Sequence, residues 1–115
     1  MANAVRGQVS LKAGDTTYTL SLSANAICEL EDATGKDISD IAEAFNKGSV
    51  SMKSIRSLVW AALQDQHHEI DLKGAGDVIT AAGMARCVEA IGHAFKAAFP
   101  EAEGSGSRPP KAKAG

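Results

Sequence analysis

The sequence predicts an α+β fold: an N-terminal two-stranded antiparallel hairpin packed on a bundle of four to five short helices. Three observations carry this. The stretch "VRGQVSLKAGDTTYTLSLS" alternates polar and apolar residues with period two, the pattern of a half-buried strand. From Ser23 onward the apolar residues recur at helical spacing, in segments bounded by Ser, Asp and Gly. After Pro100 the composition changes abruptly to "EAEGSGSRPPKAKAG", with no large apolar residue.

The hairpin is expected over residues 4–22. Gly14-Asp15 is a glycine-first turn signal, and a two-residue loop there pairs Leu11 with Tyr18, Val9 with Leu20 and Gly7 with Leu22. Those residues share a face with Val5. Arg6, Gln8, Ser10, Lys12, Thr17, Thr19 and Ser21 fall on the other face, and all are polar. Register and burial agree. A lone two-stranded hairpin is marginal in water, so its apolar face must lie on helices.

Helices are expected at about 24–34, 38–47, 52–64, 75–82 and 84–99. Ser23 is placed to cap the first, whose Ala26, Ile27 and Leu30 share one stripe, with Gly35 in the left-handed terminating position. Asp37 is placed to cap the second, where Ile38, Ile41, Ala42 and Phe45 follow the i, i+3, i+4, i+7 rule. Ser51 is placed to cap the third, with Ile55, Leu58, Val59, Ala62 and Leu63 inward. Asp65 to Lys73 reads as a polar loop before a short fourth helix carrying Val78, Ile79 and Ala82. In the last helix Met84, Cys87, Val88, Ile91, Ala94, Phe95 and Ala98 form a stripe that Pro100 closes. Residues 1–100 thus read as a single globular domain, and 101–115 as a flexible Gly/Pro/Lys tail that cannot offset its ordering entropy by burial.

The totals agree with that plan. A chain of 115 residues, 44% hydrophobic and 23% charged, suffices for one domain with a modest core. A net charge of −2 offers no basic excess to attract nucleic acid. No stretch approaches the length of a membrane span, and "MANAVRGQVSLK" lacks the charged start and apolar run of a signal peptide. Cys28 and Cys87 each sit inside an apolar helical pattern, so both are expected to be small buried thiols. A disulfide between them is neither required nor marked by a secreted context.

Candidate chemistry is sparse. "ELEDATGKDISDIAEAF" holds Glu29, Glu31, Asp32, Asp37, Asp40 and Glu43, six of the fourteen carboxylates. Their spacing around Gly35 does not match a calcium loop. Glu29, Asp32 and Glu43 lie off the apolar stripes, and Asp37 and Asp40 fall in a first helical turn where the macrodipole favours them. His67 and His68 in "QDQHHEID" lack any partner set of zinc-ligand spacing and read as a surface loop; His93 stands alone. "KGAGD" lacks the Lys-Ser/Thr of a phosphate loop, and no nucleophile–base arrangement is present. A DNA-reading helix–turn–helix over Ala24 to Phe45 is disfavoured by acidic residues where basic ones are needed. No catalytic, cofactor or metal residues are therefore assigned, and an enzyme is not expected.

Protein surface remains. Trp60, Met52, Val50 and Phe99 are the interface candidates. The edges of the hairpin, with unpaired backbone groups, invite strand addition or a homo-oligomer.

The order of elements carries a resemblance. The hairpin in "RGQVSLKAGDTTYTLSLSANAICELEDATGKDISDIAEAF" is followed by an "ELE-x-x-x-G" helix end and an acid-capped short helix. "NKGSVSMKSIRSLVWAAL" then adds a glycine break and a serine-capped helix. Val5 to Leu63, and more loosely the helical half to Phe99, resemble the small tail proteins of siphovirus-like phages and gene transfer agents, grouped with the tail assembly chaperones. "QDQHHEIDLKGAGDVI" departs from the usual longer helical entry. The resemblance implies a non-enzymatic role in building a phage tail, with no catalytic residues to transfer. The partners it implies are the long tape measure protein, the tail tube protein, or both. The location it implies is the host cytoplasm, or the virion for a structural subunit of tube or tail completion. A small regulatory protein-binding module is the remaining alternative.

Overall fold

A computed structural model describes residues 8–99 and shows an α+β chain of two strands and five helices. Strands β1 (Gln8–Ala13) and β2 (Thr16–Ser21) pair antiparallel, with Leu11 opposite Tyr18 and Val9 opposite Leu20. Gly14 takes a positive φ of 64° in the two-residue turn between them, a conformation that costs a side-chain-bearing residue but not glycine. Leu11, Ala13 and Leu20 are buried on the helix-facing side, as is Leu22 just beyond β2. The expected Gly7–Leu22 pair, the Val5 position, the strand start before Gln8 and the segment 101–115 lie outside the described residues. Ser21 departs from its expected exposure and is buried.

The helices are α1 (Ala24–Thr34), α2 (Ile38–Lys47), α3 (Met52–Leu63), α4 (Leu72–Ala82) and α5 (Met84–Ala98). Three begin with a side-chain cap. Ser23 Oγ accepts the Ala26 N–H at 3.1 Å, Ser51 Oγ the Ser54 N–H at 3.1 Å, and Asp71 Oδ1 the Gly74 N–H at 2.8 Å, each satisfying a donor the helix cannot. The Asp71 cap explains one difference from the sequence reading. Helix α4 starts at Leu72, inside the stretch read as loop, and runs through Gly74 and Gly76. Gly83 (φ 94°, ψ 142°) ends α4 and begins α5 with a backbone only glycine adopts cheaply.

The second helix starts differently from the expectation. Asp37 occupies the N-cap position of α2 but makes no side-chain cap bond. Instead Glu31 Oε2, reaching from α1, accepts the Ile38 N–H at 2.8 Å. One acid of the carboxylate-rich stretch thereby clamps α1 to the start of α2.

Helix α3 is the axis of the molecule. Ile55, Ser57, Leu58, Val59, Ala61, Ala62 and Leu63 are all buried, so over the second half of this helix only Trp60 is partly exposed. Helices α1, α4 and α5 and strand β2 all pack on it. Ser57 and Ala61 lie outside the one-sided stripe that the sequence pattern predicts. Their small side chains let neighbouring elements approach from the flank that a long polar residue would have held open. At the end of α3 the Gln64 side chain donates to the carbonyls of Trp60 (3.0 Å) and Ile70 (2.9 Å), fastening the connection to α4.

Two further expectations are corrected. Cys28 is exposed, on the flank of α1 away from Ala26 and Leu30, whereas Cys87 is fully buried; both are free thiols. On α5 the buried stripe is Cys87, Ala90, Ile91 and Ala94. Met84 and Val88, expected to be buried, are each 38% exposed, because the face that meets the hairpin is rotated toward Ala90.

Burial pushes the Cys87 thiol above its ordinary pKa, since the thiolate would lose its hydration. A thiol-specific reagent is therefore expected to titrate Cys28 rapidly in the folded protein and Cys87 only on unfolding. Two equally fast thiols would contradict this placement. The sign of the linkage follows: stability from Cys87 is complete below its unfolded pKa and declines as pH rises toward the higher folded value. Leu58→Ala is expected to cost about 2–5 kcal/mol in denaturant unfolding, as a fully buried leucine does. Glu31→Ala is expected to cost about 1 kcal/mol through loss of the α2 cap.

Candidate protein-binding groove

The carboxylates of the acidic stretch are mostly exposed. Glu29, Asp32, Asp37, Asp40 and Glu43 are exposed. Glu31 is taken by the Ile38 N–H, and Glu43 pairs with Lys47 at 3.1 Å, an exposed helical pair worth a few tenths of a kcal/mol. Among the described residues no group of three or more His, Cys, Asp or Glu could hold a metal ion.

The histidine pair divides. His68 is exposed, but His67 is half-buried against the hairpin. Its Nε2 accepts the Thr19 N–H at 3.0 Å, and its ring meets Tyr18 edge-on at 5.2 Å. Accepting that proton requires an unprotonated Nε2. His67 is thus a structural acceptor on the outer edge of β2, not a free loop side chain. The sequence carries no signal for this, since the partners lie 48 positions apart.

The feature with the shape of a binding site lies elsewhere, between α2 and α5. Helix α2 is amphipathic, yet only Ile41 of its apolar stripe is buried. Ile38, Ala42 and Phe45 are half-covered, because α2 leans mainly on α1 and stands clear of the α3 axis. The Phe45 ring bridges to α5, 5.3 Å from the Phe95 ring. It sits 3.7 Å from where a Cβ on Gly92 would stand, so the missing side chain there gives the ring room. Phe99 extends the aromatic row at 6.5 Å from Phe95. Beside these rings runs an open groove of about 750 Å³, floored by Ile38, Ala42, Phe45, Phe95 and Phe99 and rimmed by Glu43, Lys47 and Lys96.

The four interface candidates named from the sequence are scattered. Phe99 lines the groove. Met52 is 52% exposed at the start of α3. Val50 and Trp60 are half-covered and packed against the core. The groove itself escapes the sequence reading, though a signal for it is present. A four-residue stripe on a ten-residue helix, joined by Phe95 and Phe99 on α5, exceeds what one small core can absorb.

Gly92→Ala is expected to stabilise the protein by about 1 kcal/mol. The helix gains propensity, and the added methyl meets Phe45 at ordinary contact distance. Loss of stability in thermal unfolding would mean that Phe45 packs closer to α5 than described.

One family model, described as phage tail tube protein, GTA-gp10, matches residues 6–101 of the chain. No curated protein and no solved structure matches it.

Proposed function

The chain belongs to the phage tail tube protein, GTA-gp10, family, and on that premise we propose that it is a non-enzymatic tail assembly chaperone that holds the tape measure protein while the tail tube forms. The observation that supports this reading is the open groove between α2 and α5. A folded protein of this size leaves an aromatic-lined groove uncovered at a cost in solvation, unless something covers it. Its apolar lining between two helices is of the kind that holds the apolar stripe of a third helix, which is how amphipathic segments are commonly held. A tape measure protein, long and helical and prone to aggregate, supplies such segments. The Glu43–Lys47 pair leaves the rim with the additional charge of Lys96, which favours a partner helix flanked by carboxylates. On this reading the protein works in the host cytoplasm and leaves the finished particle.

A second reading is favoured by the family's own description. A structural subunit of the tail tube, or of its completion, would fill the same groove with a neighbouring copy and remain in the virion. Mass spectrometry of mature particles separates the two, because a chaperone is absent and a subunit is present in many copies.

The direct test is co-expression with the tape measure protein. Wild-type protein is expected to be recovered with it. Phe99→Ser and Ala42→Asp are each expected to lower recovery roughly ten-fold, as hot-spot changes do, with the fold intact by circular dichroism. Equal recovery of both variants and wild type would remove the groove from the account.

A further inference from the structure

The backbone of His67 is held on both sides. Its N–H donates to the Leu63 carbonyl at 2.7 Å, and its carbonyl accepts the Ile70 N–H at 3.0 Å. The Gln64 side chain ties Ile70 back to α3 at the same place. The ring therefore starts from a fixed point and reaches β2, where Nε2 accepts the Thr19 N–H beside Tyr18. A neutral imidazole that accepts at Nε2 carries its proton on Nδ1. A doubly protonated imidazole has no acceptor left, and its Nε2–H would point at the Thr19 N–H, donor against donor. No charge nearby holds such a cation in place. Tyr18 is the one titratable side chain of β2, Lys12 of β1 stands opposite Thr17, and α3 carries no titratable group from Ser57 to Leu63. On the α3–α4 connection Asp65, His68, Glu69 and Asp71 are exposed. Asp77 of α4 borders, with Glu69 and Asp71, a depression beside Tyr18. None of these carboxylates pairs with the ring, since the ion pair among the described residues is Glu43–Lys47.

We propose that His67 is a pH-sensitive latch: neutral, it fastens β2 to the α3–α4 connection through Thr19, and protonated, it lets go. Histidine is the side chain whose charge changes between about pH 5 and 8, so the latch responds to mild acid. The bond is made where His67 is neutral and is lost as pH falls. The released ring has carboxylates to turn toward, because Asp65 and Glu69 flank it in the chain and both are exposed. Opening is local. Leu11, Leu20 and Leu22 stay buried on the helix-facing side of the hairpin, so the loss is confined to the outer edge of β2. There the half-buried Thr19 N–H loses its acceptor and Tyr18 its aromatic neighbour. Tyr18, Thr19 and His67 all lie outside the α2–α5 groove, so the latch stands or falls separately from the chaperone reading.

Nitrogen NMR of the full chain tests the latch. At about pH 7.5 the His67 ring is expected to show a bare Nε2 and a protonated Nδ1, coupled across the bond to the Thr19 N–H. On acidification to about pH 5 the Thr19 amide is expected to move with the ring signals of His67, not with those of His68 or His93. Its protection against exchange, corrected for the intrinsic effect of pH, is expected to fall roughly five-fold, the worth of one net hydrogen bond. The amide signals of Ile55 to Val59 in α3 are expected to stay in place. His67→Gln keeps an acceptor without the charge and is expected to remove the pH dependence at Thr19. His67→Phe keeps a ring beside Tyr18 without the acceptor and is expected to show low Thr19 protection at both pH values. Should either variant fail to fold, the wild-type titration decides alone. An Nε2-protonated ring at neutral pH, or a Thr19 amide that does not follow His67, overturns the proposal. A folded His67→Gln protein whose Thr19 amide stays as pH-sensitive as the wild type overturns it as well.

Discussion

The placement of the core elements in this protein depends on a helix whose second half carries no charge. From Ser57 to Leu63 helix α3 offers no charged residue, and every position but Trp60 is buried. A helix that is apolar all round must be surrounded, so α1, α4, α5 and the hairpin are drawn to it from different directions. The apolar burial is large enough to organise the domain: each fully buried leucine contributes about 2 kcal/mol relative to exposure, and Leu11, Leu20, Leu30, Leu58 and Leu63 are all of that kind. The small residues on α3 set how close the neighbours come. Ala61 and Ala62 admit whole elements where larger residues would hold them off.

The same arrangement leaves α2 outside. Once four elements surround α3, the remaining amphipathic helix has little core left to cover it. Glu31 fixes its start, and Phe45 packs its last turn on Phe95. Its stripe is therefore half-covered, and an aromatic-lined groove follows as a consequence of crowding around α3. The use proposed for that groove rests on the chain's membership of a phage tail family.

Much of the fold is legible in the sequence because its signals are local. Alternation from Gln8 to Ser21 specifies the register, and Ser23, Ser51 and Gly35 mark helix ends within a residue. What is not legible depends on distant partners. Asp37 has the sequence position of the α2 cap but makes no side-chain cap bond, while Glu31 of the neighbouring helix takes the Ile38 N–H. His67 has the surroundings of a loop residue, and only the folded chain brings it to Thr19. The Asp71 cap is hidden because Gly74 and Gly76 weaken the helical signal of α4, while packing of Ala75, Val78 and Ile79 on the core overrides that weakness. Cys28, Met84 and Val88 fall on flanks that periodicity alone does not orient, because the stripe is wider than the face each helix presents. For the site, composition and spacing direct attention to protein surface, yet Phe99 is the only groove residue they single out. A groove is a relation between two helices, and no single stretch of sequence contains it.

Hydrogen exchange of the protein alone and in complex with the tape measure protein tests the central claim most directly. Alone, the amides of Met52–Leu63 are expected to exchange only through global unfolding, and those of Ile38–Lys47 faster, through local opening of the half-covered helix. In the complex, protection is expected to rise in Ile38–Lys47 and in the last turns of α5, with α3 unchanged. Protection confined to α3 or the hairpin, with α2 exchanging as fast as before, would contradict the account.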